Sequence, residues 1–215
     1  MATTPTRMRR ASNNGAFMNP TPQGKIISVA DSFGNRGIKK QQGSTVIRYD
    51  YLPLTEGLVP EQTFKFFLNA ATRQFPFTNL IKGQLTVGEA MAIERMYFVI
   101  MQVLVATNEI TDQTTLDTFG LPAAYNGEFL IQIENNVVVK PTPMTSLKAP
   151  FNRNAFFADY NVFHFDTNVV INPLLQFEVD LHTPIMTVPT SETLSFFIGC
   201  VLEGAGSILA PRKTM

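Results

Sequence analysis

The sequence predicts an all-β fold preceded by a basic arm. Three observations lead there. Short runs of alternating apolar and polar residues, rich in Val, Ile, Tyr and Phe, recur from about Val46 onward. They are separated by Gly-, Pro- and Asn-rich loops, and no long amphipathic helices alternate with them, which argues against a parallel α/β sheet. The charge also divides along the chain. The 215 residues carry 17 basic and 17 acidic side chains, a formal net charge of zero. Residues 1–48 nevertheless hold eight basic residues against one acid, Asp31, a net +7, so the remainder carries −7.

Taken in order, residues 1–45 read as an extended arm, ordered only where it lies on something else. Asn13-Asn14-Gly15, Asn19-Pro20 and Gln41-Gln42-Gly43-Ser44 are loop signals, and only residues 25–30 could pair as a short strand. Residues 46–215 read as the folded domain. Residues 63–68 form a short strand. Residues 89–105 form a long one whose two parities are both largely apolar, the pattern of a strand buried on both faces. A short helix is expected around residues 112–119. Residues 128–134 alternate, with Phe129, Ile131 and Ile133 on one face. Asn135-Asn136 then predicts a tight hairpin into residues 137–139, which Pro141 and Pro143 end. Residues 162–166 and 169–171 are further strand material. In residues 175–182, Leu175, Phe177, Val179 and Leu181 face in, while Gln176, Glu178, Asp180 and His182 face out. Residues 193–203 close the series, and Gly199 to Gly206 reads as a turn at its end. About eight strands with irregular loops suit a single jelly-roll-like antiparallel β-sandwich.

Candidate chemistry is sparse. A nucleophile needs a neighbouring base, and the only histidines are His164 and His182. The one cysteine, Cys200, excludes an internal disulfide and sits on an apolar parity with Ile198 and Leu202, the setting of an inert small hydrophobe. No Gly-x-Ser-x-Gly elbow, P-loop or Gly-x-Gly-x-x-Gly occurs. His164 with Asp166, and Asp180 with His182, each share a strand face. If the two strands paired about residue 173, the four side chains would converge as a divalent-metal site. The preferred reading is that they are outward polar positions, so no metal, no cofactor and no enzymatic activity are assigned. No apolar run reaches the roughly 18 residues of a transmembrane helix, and the amino terminus lacks the apolar stretch of a secretory signal.

Two features point to partners. Arg7, Arg9, Arg10, Lys39 and Lys40 make a cationic arm fit to contact a nucleic-acid backbone or neighbouring subunits. An inert solubilising tail is the bland alternative. Sixteen of the 18 Phe lie after residue 48. Phe75, Phe77, Phe151, Phe156 and Phe157 fall in loop-like stretches whose aromatic area needs cover, from their own sheet or from a subunit interface.

The basic Thr/Arg/Asn-rich arm, a sandwich of jelly-roll size, low charge and many Phe and Pro together resemble the coat proteins of small icosahedral viruses. Phe64-Lys65-Phe66-Phe67-Leu68-Asn69, Thr78-Asn79-Leu80, Gly88-Glu89, Ile93-Glu94-Arg95 and Leu194-Ser195-Phe196-Phe197-Ile198-Gly199 are similar in texture to tailless bacteriophage capsid proteins. The resemblance implies a subunit made in a host cytoplasm that assembles with many copies of itself into a virion shell. It also implies contacts with other virion proteins, and with packaged nucleic acid through the arm. The competing expectations are a minor vertex or spike protein, a ligand-binding sandwich, and a cupin-like metalloenzyme. The absence of Trp argues against a lectin-like aromatic platform.

Overall fold

The computed structural model describes residues 41–68, 70, 73–80, 83–86, 89–147 and 161–209. The arm positions Arg7, Arg9, Arg10, Lys39 and Lys40, the strand expected at residues 25–30, and Phe151, Phe156 and Phe157 lie outside the described residues. Eleven strands are present among those described: β1 (Gln41–Leu54), β2 (Gly57–Val59), β3 (Gln62–Phe66), β4 (Glu89–Leu104), β5 (Ile110–Thr115), β6 (Glu128–Ile133), β7 (Asn136–Pro143), β8 (Val162–Ile171), β9 (Phe177–Thr183), β10 (Met186–Val188) and β11 (Leu194–Leu209).

Two antiparallel sheets form the body. The first runs β1-β11-β4, and the far edge of β4 is shared. β8 pairs with its first half, from Met91 to Tyr97, and β5 with its second, from Val99 to Val103. The second sheet runs β3-β9-β6-β7, and β2 pairs with β10 as a separate ribbon. The pairings nest: β1 with β11, β2 with β10, β3 with β9, β4 with β8, and β6 with β7. One long antiparallel hairpin has in effect been rolled up, with the β1/β11 and β4/β8 pairs in the first sheet and the β3/β9 and β6/β7 pairs in the second. That is the connectivity of a jelly roll, as expected.

The core lies between the sheets, because each strand turns one parity inward. Met91, Ile93, Met96, Phe98 and Ile100 of β4 meet Phe129 and Ile131 of β6 and Phe177, Val179 and Leu181 of β9. Phe98 packs on Phe66 and Phe129 with ring centroids 5.8 and 6.2 Å apart. The other parity of β4 is also covered, as its composition predicts. Val99, Met101 and Val103 join Tyr51 and Val201 in a second cluster on the outer face of the first sheet.

Several expectations are corrected. β1 begins at Gln41, in a stretch expected to be loop, because its backbone pairs with β11 from Gln41 opposite Leu209 onward. A ladder to a neighbour outweighs a polar local composition. Residues 110–115 are strand rather than helix, held by pairing with β4. Only α1 (Leu116–Phe119) is helical there. Thr115 Oγ1 caps it by accepting the Thr118 N–H at 3.3 Å, and Gly120 ends it at φ 91°. The β6–β7 turn takes its positive φ, 56°, at Glu134 rather than at an asparagine. Glu134 is fixed there by two bonds to Gln176: its N–H donates to the carbonyl at 2.7 Å, and its carboxylate accepts the Gln176 N–H at 3.0 Å. β7 continues through Pro141 to Pro143, because it is an edge strand and a missing N–H breaks no ladder bond there.

Residues Gly199 to Gly206 do not form a turn. They run inside β11, paired on both sides. The ring of Tyr51 lies over Gly199 where a Cβ would stand, and at Gly204 a Cβ would strike the carbonyl oxygen of Ala92. Close approach of neighbours, not chain reversal, requires glycine at these two positions.

One buried charge pair ties these parts together. Asp50 lies on the inward parity of β1 with no exposed surface. Its carboxylate accepts the Phe67 N–H at 2.7 Å and Arg73 Nε at 2.8 Å, and the second arm of Arg73 closes on Oδ2. Phe67 has φ 70°, so Asp50 holds a left-handed residue at the end of β3.

Candidate functional site

The four residues that could have met as a metal site are divided between the sheets. His164 and Asp166 lie on β8 in the first sheet, where His164 stands opposite Arg95 of β4. Asp180 and His182 lie on β9 in the second sheet, flanked by β3 and β6. The pairing about residue 173 does not form, so shared parity within each strand does not bring the two pairs together. Among the described residues no three His, Cys, Asp or Glu side chains are placed to hold a metal ion.

Asp180 and His182 instead belong to a polar lattice on the outward face of the second sheet. The register sets Thr63, His182 and Glu128 in one row, and Lys65, Asp180 and Leu130 in the next. His182 is fixed at both nitrogens. Nε2 lies 3.0 Å from Glu61 Oε1 and Nδ1 lies 3.1 Å from Thr63 Oγ1. With a neutral ring, Nε2–H donates to the carboxylate and Nδ1 accepts the hydroxyl proton. Lys65 Nζ donates to Asp180 Oδ2 at 3.1 Å and lies 3.7 Å from Glu178 Oε1. That hydrogen bond to Asp180 leads the causes that raise the lysine above its ordinary pKa. The sequence predicts a solvated position for Asp180, yet the residue is only 9% exposed.

The outer face of the first sheet is different in kind. Tyr49, Tyr51, Tyr97 and Phe197 pack around its apolar cluster. Burial, then Tyr49 and Cys200, push the Tyr51 hydroxyl up to about 12. Tyr97 donates to Glu203 at 2.8 Å and is likewise raised, mainly by burial. Phe77 covers part of this face, its ring 4.6 Å from that of Phe197. Of the two described interface candidates, Phe77 therefore finds cover in its own chain. Phe75 is 83% exposed. A shallow groove of about 640 Å³ lies on the first sheet among Ser44, Thr45, Glu94, Arg95 and Glu203, and its lining holds no histidine or cysteine. Cys200 is fully buried, and burial followed by the nearby Asp50 raises its thiol well above the ordinary value. That leaves it protonated and inert.

No protein-family model and no curated protein matches this chain. Among the described residues no helix is long and apolar enough to cross a membrane. Sequence reasoning missed Asp50 and Arg73. The available signal was an acid on a parity shared with Val46, Arg48, Leu52 and Leu54.

Proposed function

We propose that this chain is a structural virion subunit that assembles in many copies into a closed shell, the resemblance to jelly-roll coat proteins supplying the class. The observation that carries the reading is the distribution of uncovered apolar side chains on a sandwich whose core is already complete. Leu58 within β2 and Ile185 just before β10 are 73% and 61% exposed, Phe75 stands on its loop, and Val137 and Val138 lie on the edge strand β7. A subunit that meets several neighbours needs several separate patches, whereas a simple dimer needs one. The charge division supports the same reading: the basic amino-terminal segment carries charge that suits packaged nucleic acid or a neighbouring subunit, and the remainder of the chain is acidic.

The test is the particle itself. Purified chain examined by sedimentation velocity and negative-stain electron microscopy is expected to give closed shells or large symmetric oligomers. A stable 23.9 kDa monomer under all assembly conditions would sink the proposal.

A further inference from the structure

The outward face of the second sheet carries more acid than it can neutralise. Glu61, Glu128, Glu178 and Asp180 share it with Lys65 and His182, and Lys140 stands exposed on the edge strand β7. Lys65 is already engaged by Asp180 and Glu178, and Glu61 by His182. Glu128 is exposed and has no ion-pair partner among the described residues. Asp180 is nine-tenths buried, and among the described residues its Oδ1 finds no hydrogen-bond donor. It lines a cavity of about 240 Å³ together with Thr63, Glu128, Phe129, Leu130 and His182. A buried carboxylate oxygen without a donor is an unmet demand. The walls suit a long cationic side chain: Leu130 and the His182 ring for its methylenes, Glu128 and Asp180 for its head.

The same polypeptide holds the matching charge. Residues 1–40 contain Arg7, Arg9, Arg10, Lys25, Arg36, Lys39 and Lys40 against Asp31 alone. Fully extended, forty residues reach roughly 130 Å, far enough to leave their own sandwich.

We propose that this face is the receptor for a basic side chain from residues 1–40 of a neighbouring copy, so that each amino-terminal segment fastens to the second sheet of the next subunit. The inference rests on the shell reading. It deepens that reading by naming where the segment lands.

The test uses full-length chain, a mixture of isotope-labelled and unlabelled copies, assembled and then treated with a zero-length carbodiimide cross-linker. Sedimentation of the same sample reports whether assembly occurred. Links from Lys25, Lys39 or Lys40 to Glu61, Glu128 or Glu178 are expected, in labelled–unlabelled pairs. The exposed substitution Glu128→Lys should lower the links to Glu61 and Glu178 by about tenfold, with circular dichroism unchanged. Assembled particles without such links, or with links only inside one chain, overturn this inference and leave the shell reading standing. A chain that never assembles overturns both.

Discussion

Asp50→Ala removes a carboxylate from a site with no exposed surface. Three donors lose their acceptor: the Phe67 N–H, Arg73 Nε and the second Arg73 amine. Breaking a buried pair by deleting one partner costs about 3–5 kcal/mol. The Arg73 side chain keeps 17% of its surface exposed and can turn its charge partly to water, so Asp50→Ala belongs near the lower end of that range. Arg73→Ala belongs near the upper end, because it strands a carboxylate that has no route to solvent. The double substitution removes both charges and should cost less than the sum of the singles by about 2 kcal/mol. Asp50→Asn keeps an acceptor for the Phe67 N–H and should fall between wild type and Asp50→Ala. Urea unfolding followed by far-ultraviolet circular dichroism measures all four variants, at a concentration where they share one assembly state with wild type. An Asp50→Ala cost under about 0.5 kcal/mol, or singles that simply add, would refute the account of this pair.

Three further outcomes are expected. Gly204→Ala places a methyl against the Ala92 carbonyl oxygen where β11 and β4 slip register, so it should destabilise by about 1–3 kcal/mol; unfolding midpoints equal to wild type would show that the backbones can separate there. Burial raises Tyr51, Tyr97 and Tyr125 above their ordinary value of 10.0, so the folded state keeps protons that the unfolded state releases. Stability should therefore be level below about pH 9 and fall above about pH 10, by at most about 1.4 kcal/mol per tyrosine per pH unit and by less where solvent screens the ring hydroxyl; a urea midpoint unchanged from pH 9 to pH 11 contradicts this. Phe75→Ser alters a side chain that is 83% exposed, so subunit stability should change by less than about 0.5 kcal/mol. If Phe75 is an interface residue, sedimentation will show assembly shifted to higher protein concentration; identical assembly curves would remove Phe75 from the interface.

The strands legible beforehand are those with one buried and one polar face, such as β6 and β9, where alternation records the sheet directly. β4 was legible for the opposite reason, since both its parities are apolar and both are covered. The three-residue strands β2 and β10 carry too little pattern to be seen and exist through their pairing with each other. The failed metal constellation marks the boundary most sharply. Its within-strand parities were sound, yet β8 belongs to one sheet and β9 to the other. Asp50 and Arg73, and the glycines under Tyr51 and beside Ala92, answer to neighbours distant in the chain.

Composition and spacing alone were enough for the all-β class, the facing of most side chains, the absence of an internal disulfide with a single cysteine, and the basic segment before an acidic body. Those are local or additive properties of the chain. Tertiary structure decided which strands became partners, which acid was buried, and which outward face was left with unmatched carboxylates. Pairing is a choice among many similar strand edges, and the free energy that selects one comes from packing both faces at once, which no short window of residues contains.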